Sequence, residues 1–458
     1  MRYSAPHQRR WLLRAPATRG QRPRLAALLS TLLITARTHA TWTEPDPRSR
    51  RTLCHLVLAV LAARSPRLLA LARPLLPRRR ARTVKAVTMG LTYFLRDARI
   101  ALPTLAAGLA EATVAHVPPE QILTYRGRAL LVIDPTEYPK RSRGRGKCGR
   151  GMEHIGRVRK TTTKDSGTTR GYVDVWAGLV LKGRRWLPLA RRLFSAAHPD
   201  ATSQNQVEEA VLADALAATR RLGLDAIVVG DRGLGRKEWL VDLAARDQPY
   251  VLRRDADILV RRPGEAEADK RALAAVLAEE DGRGEVAWDR GQEGVVRCRL
   301  RWTQAVVRFS RSGCQADARE ATVGFIEARP RDARLDPLIL ATTLPVTTRA
   351  AAVGVVGVYS QRWPIESAFE TMKSWGLGKF MVRSWTAINR LLWIVALAYA
   401  LSVLAVIAGH CGWLRRQVAA LLAEQGACGR RLTPGKLAEA IALDLPRHPR
   451  AWATAWFP

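Results

Sequence analysis

Six residues have the types and spacing to do phosphate chemistry. Asp134 closes the apolar run ALLVID (129–134) and Asp231 closes DAIVVGD (225–231). Each carboxylate is therefore expected at the carboxyl end of a strand, where an α/β sheet leaves a crevice open and the strand body holds the side chain rigid. If the two strands are neighbours, the carboxylates share one crevice and repel each other unless a cation lies between them. Hard oxygen donors suit Mg²⁺ or Mn²⁺, and a third acid would complete a pair of ion sites about 3.5 to 4 Å apart for in-line phosphoryl transfer. Glu366 is the candidate third acid. It belongs to YSQRWPIESAFETMK (359–373), in which Tyr359, Arg362, Glu366 and Lys373 fall at offsets of 0, 3, 7 and 14. At roughly 100° per residue, a continuous helix would gather these four within an arc of about 60°. One acid among cations on a single stripe suits a surface that meets polyanions.

Taken singly, each acid also has a structural reading. An Asp after a strand is commonly a turn residue or a helix cap, which covers Asp134 and also Asp231 in GDRG. Pro364 is a natural first residue of a helix, which puts Glu366 at the third position, where a carboxylate favours the helix dipole. The same proline biases Trp363 away from helix. Tyr359 and Arg362 are then expected on a lead-in, with Glu366 in the first turn and Lys373 two turns on.

The elements that must position these residues fall into blocks. Residues 1–120 read as basic helical pieces broken by prolines, a candidate DNA-binding region, with VPPEQ (117–121) as a boundary. From 121 to 254 the pattern becomes mixed α/β. Strands are expected at ALLVID, GYVDVWAGLVL (171–181) and RWLPLARRLF (185–194), an amphipathic helix at 205–223, a buried strand ending at Asp231, a short helix near 237–245 and a strand at 249–254. Residues 255–345 turn polar and strand-like, an antiparallel β-rich insertion built from EVAWDR, GVVRCRLRW, AVVRFS and TVGFIEARP. Residues 346–458 read as the second part of the core and a helical C-terminal region, with helices resuming at 359.

Charge narrows the partner. With 75 Lys+Arg against 40 Asp+Glu, the 458-residue chain carries a net +35, a field that a nucleic acid would neutralise. Residues 1–100 hold only three acids, Glu44, Asp46 and Asp97, and a dense run at Arg78, Arg79, Arg80 and Arg82. Six scattered cysteines, none in a C-x-x-C pair, indicate neither a disulfide framework nor a zinc site and fit a reducing compartment; His410 beside Cys411 reads as a helix-end pair. The basic N-terminus lacks the apolar stretch and cleavage site of a secretory signal. LLWIVALAYALSVLAVIAG (391–409) is long enough to span a bilayer, but its alanine content and its place behind a charged helix favour a buried core helix and no membrane attachment.

Tyr359, Arg362, Glu366 and Lys373 together make the Y-(2)-R-(3)-E-(6)-K signature of a class of bacterial insertion-sequence transposases. YSQRWPIESAFETMKSWGLGKFMVRS resembles that segment almost throughout; GDRGLGR is similar to the second-aspartate motif, with Leu234 where an aromatic is common, and VIDPTEYPKR is similar to the first. The resemblance covers about 129 to 409. It implies an α/β fold, a ribonuclease H-like mixed-sheet catalytic core with a β-rich insert and a helical N-terminal region. It also implies a DDE triad of Asp134, Asp231 and Glu366 holding two Mg²⁺ or Mn²⁺ ions, which cleaves the terminal inverted repeats of an insertion sequence and transfers the strands into target DNA. Tyr359, Arg362 and Lys373 would contact phosphates of the transposon end, and arginine's fork and lysine's point charge suit that task. In some relatives a tryptophan of the insert stacks on a flipped base; Trp288 and Trp302 are the candidates here, but core packing is the favoured reading of each and the spacing selects neither as a site residue. Double-stranded DNA is the expected partner, bound by a homodimer on paired ends, in the cytoplasm at the nucleoid. The alternative is a catalytically silent DNA-binding protein derived from a transposase.

Overall fold

In a computed structural model of the chain, residues 47–75, 83–97, 101–140, 151–159, 167–280, 284–310, 317–408 and 433–447 are described. The Arg78–Arg82 run, His410 and Cys411 lie outside them. Four helices come first, α1 (Pro47–Ala63), α2 (Leu68–Leu75), α3 (Val84–Arg96) and α4 (Leu102–Ala115). Strands β1 (Thr124–Tyr125), β2 (Arg128–Pro139), β3 (Gly156–Arg159), β4 (Thr168–Leu181) and β5 (Arg185–Phe194) follow, then α5 (Gln204–Arg221), β6 (Ala226–Gly230), α6 (Lys237–Ala245) and β7 (Tyr250–Arg254).

The polar region carries β8 (Leu259–Val260), β9 (Arg271–Ala272), α7 (Leu273–Ala278), β10 (Glu285–Asp289), β11 (Val295–Phe309), β12 (Arg319–Pro330) and β13 (Leu338–Thr342). Helices α8 (Arg349–Ser360), α9 (Trp363–Ser374), α10 (Trp385–Ala408) and α11 (Pro434–Arg447) complete the described chain.

One mixed sheet runs in the order β10-β11-β12-β13-β7-β6-β2-β4-β3, with β1 on β2 and β5 on β4. Strand β6 is parallel to both β2 and β7, and every other pairing is antiparallel. This arrangement is consistent with a ribonuclease H-like core. Ala129 to Ile133 are all buried; because successive side chains point to opposite faces, both faces of β2 are covered at its centre.

Three expectations need correction. Strand β2 does not end at Asp134; it continues through Pro139 because β4 stays paired with it as far as Pro139–Gly171. What ends near Asp134 is the parallel partner, since the β2–β6 ladder stops at Ile133–Gly230. The polar region is continuous with the core sheet: β13 pairs with β7, and GVVRCRLRW and AVVRFS form the single strand β11. Finally, the helical stripe is broken. Thr348 caps α8, its side chain accepting from the Ala351 amide, and that helix ends at Ser360, so Tyr359 sits in a different helix from Glu366. Helix α9 starts one residue before Pro364, with Arg362 at its N-cap.

The apolar run at 391–409 falls mostly in α10. Its Trp385–Ile407 stretch is long and apolar enough to cross a membrane, yet residues 390–407 are all buried inside the protein, and the helix packs against α1, α3, α4, α11 and β5. Beyond Arg390 the helix is uncharged and apolar all round, as an enclosed position requires.

Candidate active site

Register explains how the two aspartates meet. Ile133 lies beside Gly230 at the last rung of the parallel ladder, so the next residues, Asp134 and Asp231, leave that rung side by side. Helix α9 packs on β2 and β5 and brings Glu366, in its first turn, to the same place. The three carboxylates meet at Arg362. Its Nη1 donates to Asp134 Oδ2 at 3.2 Å, its Nη2 donates to Glu366 Oε1 at 2.6 Å, and Nη2 stands 3.9 Å from Asp231 Oδ2.

Arg362 and Tyr359 are almost fully buried, 4% and 2% exposed. The Tyr359 hydroxyl donates to Asp231 Oδ1 at 2.9 Å, and Arg253 Nη1, from the end of β7, stands 3.7 Å from the same oxygen. The Arg362 guanidinium also lies over the rings of Trp363 and Tyr359, 5.1 and 5.9 Å from their centres. Lys373, two turns along α9, is exposed and makes no ion pair among the described residues. Of the three residues expected to meet phosphates, the structure turns two toward the carboxylates and leaves one facing outward.

Protonation follows from this crowding. Burial first, and then the Asp231 and Glu366 charges, push Asp134 up to about 7 against the pull of Arg362 and Lys373. Burial also raises Glu366, partly offset by its ion pair with Arg362. At Asp231 burial is again the largest influence, but Arg362, the Arg232 amide, Arg253 and Tyr359 outweigh it and hold the carboxyl below its ordinary value. Burial and the neighbouring Asp231 charge keep the Tyr359 hydroxyl protonated, so it remains a donor.

A cleft of about 470 Å³ opens onto Asp231, Tyr359 and Arg362 on one side and Trp288, Arg290 and Arg334 on the other. Trp288 thus reaches the cleft, with the Arg290 guanidinium 5.2 Å from its ring centre, while Trp302 is buried in β11 and is not part of the lining. Arg253, Arg290 and Arg334 were not legible as site residues. Only Arg253 carried a usable signal, a cation at the end of the apolar strand PYVLRR.

Among the described residues, no three His, Cys, Asp or Glu side chains stand as a ready cage for a metal ion; Arg362 stands against all three carboxylates instead. The donor chemistry nonetheless fits a divalent cation. Three hard oxygen donors face one guanidinium, so a single positive charge stands against three carboxyl groups.

Residues 193–401 match the family described as Transposase DDE domain. The matched stretch contains Asp231, Tyr359, Arg362, Glu366 and Lys373 and begins after Asp134. It supports a DDE-type transposase. No curated protein matches the chain.

Proposed function

We propose that this DDE-type transposase cuts DNA at the terminal inverted repeats of an insertion sequence and joins the freed 3′ ends to target DNA. The observation that carries the reading is the convergence of Asp134, Asp231 and Glu366, from three separate elements, on the single guanidinium of Arg362. These carboxylates would hold Mg²⁺ or Mn²⁺, which when bound supplies Lewis-acid charge to the attacking water or 3′-hydroxyl and to the leaving oxygen.

The remaining work falls to side chains. Tyr359 and Arg253 fix the orientation of Asp231, and Arg362 keeps three like charges together until cation and substrate arrive. Tyr359 and Arg362 both line the cleft with their donors given to the carboxylates, so they would contact a phosphate by exchanging those bonds, and Lys373 offers a point charge to the same backbone from outside. A pair of copies, each holding one end, gives the two cuts that excision needs.

The test is cleavage of supercoiled plasmid carrying the gene with its flanking DNA, in Mg²⁺. Asp134→Asn, Asp231→Asn and Glu366→Gln should each lower the rate at least about 1,000-fold, roughly 4 kcal/mol of transition-state stabilisation, while still retarding the flanking DNA in a gel. Undiminished cleavage by any purified single variant removes that residue from the triad. Binding without cleavage by the unaltered protein would favour the silent DNA-binding reading.

A further inference from the structure

The loop between α9 and α10 holds a methionine out in solvent. Met381 is 71% exposed, the highest value among the exposed large hydrophobics of the described residues, yet its neighbours Phe380 and Val382 are 1% and 8% exposed. The loop is pinned on both arms. Lys140 Nζ donates to the Gly378 and Phe380 carbonyls at 2.7 and 3.1 Å and lies 3.3 Å from the Phe380 ring centre. On the other arm the Glu153 amide donates to the Arg383 carbonyl at 2.9 Å, and Glu153 Oε2 accepts from the Trp385 amide at 2.7 Å.

Gly376 and Gly378 both have φ +85, and a Cβ on Gly376 would lie 2.7 Å from Pro66 Cδ. The turn is therefore specified by its glycines and by tertiary contacts. A thioether that folding would ordinarily bury is presented on a fixed support.

Its surroundings identify the partner. Lys379 and Arg383, two residues to either side, are both exposed, and Lys373 lies on the helix that leads into the loop. Glu366 is seven residues before Lys373 on that helix, roughly 10 Å along its axis at 1.5 Å per residue. An apolar tip between cations, on a loop whose Phe380 ring packs 5.9 Å from that of Tyr138, four residues beyond Asp134 on β2, matches the wedge with which DNA-bending proteins part a base step while basic residues hold the flanking phosphates.

We infer that Met381 inserts between base pairs of the duplex lying along α9, with Lys379 and Arg383 on its backbone, and so kinks the DNA next to the carboxylate site. This inference rests on the DNA-processing reading above.

The experiment uses the full chain without divalent ions and duplexes from the DNA flanking the gene, with 2-aminopurine placed at successive steps and end labels reporting bending. The unaltered protein should raise 2-aminopurine emission at one step and shorten the end-to-end distance. Met381→Ala should lose both signals while binding with an unchanged salt slope, Met381→Leu should restore them, and Met89→Ala, removing another exposed methionine, should change neither. Unstacking and bending by Met381→Ala equal to the unaltered protein would overturn the wedge. So would loss of self-association in that variant with the DNA signals intact, which would make the tip a protein interface. If the unaltered protein binds these duplexes, and cleaves them once Mg²⁺ is added, but never unstacks them, the wedge alone falls; if it does not bind them, the DNA-processing reading falls as well.

Discussion

Two buried arginines, both reached from β2, have opposite surroundings. Arg191 meets a single acid: its Nε and Nη2 donate to Asp174 Oδ1 at 2.9 and 2.7 Å, and its Nη1 donates to the Asn389 carbonyl and Oδ1 at 3.1 and 2.7 Å. Tyr138 completes the pair with a 2.9 Å bond to Asp174 Oδ2, and neither charged side chain has any exposure. One cation, one anion and a bond for every guanidinium nitrogen make a closed unit. Arg362 instead faces three carboxylates, its Nε has no hydrogen-bond partner, and the unit opens onto a cleft. Thr136, two residues after Asp134 on β2, is paired in register with Asp174, so the same strand supports both. A balanced buried pair holds elements together, whereas an unbalanced one stores affinity for another cation.

The largest expected effect breaks the balanced unit. Asp174→Ala strands a guanidinium with no exposure and should cost about 3 to 5 kcal/mol of folding stability, read by urea unfolding; a loss under about 1 kcal/mol would mean that the pair is not closed.

In the unbalanced unit the sign reverses. Asp134 titrates at about 7 in the folded chain against an ordinary 3.8, so between roughly pH 4 and 7 the folded state binds more protons than the unfolded state. Without divalent ions the resulting penalty is absent below about pH 4, grows as pH rises, and is complete above about pH 7, reaching at most about 4 kcal/mol. Asp134→Asn should remove this dependence. Its stability advantage over the unaltered protein should widen from pH 4 to pH 7 in EDTA; parallel pH profiles would show that Asp134 is not strained by its neighbours.

The contrast between the two units was only half legible in the sequence. The β4–β5 hairpin, α5, β6 and the Tyr359–Lys373 spacing could be read from local periodicity and motif. Asp134 and Asp231 could be placed as strand-associated acids, but their adjacency depended on a parallel register between β2 and β6 that no local pattern encodes. The continuation of β2 past Asp134 was hidden by Pro135 and Pro139, which read as turn residues, and is imposed by the long β4 partner. The joining of β13 to β7 likewise pairs residues more than eighty positions apart. Burial of Arg362 was least legible. Cations are mostly exposed, and nothing in QRWPIE shows that three carboxylates would enclose this one. Asp174 and Arg191, in turn, looked like ordinary residues of two strands.

The smallest expected effect concerns the cation that the unbalanced unit leaves outside. Lys373 shares its helix with Glu366 but is exposed and makes no ion pair among the described residues, so its charge is open to a phosphate although partial burial lowers its pKa, whereas the charge of Arg362 is already committed to carboxylates. Lys373→Ala should therefore leave urea unfolding unchanged and weaken binding to flanking DNA by about 1 kcal/mol. It should also reduce the slope of log K against log salt concentration by about 1, the share of one phosphate contact. Titrations at several salt concentrations measure this directly. An unchanged slope would mean that exposure does not separate DNA-facing from carboxylate-facing cations on this helix. The division of labour between Arg362 and Lys373 would then have to rest on hydrogen-bond geometry alone, because only Arg362 offers the fork that can hold two carboxylates at once.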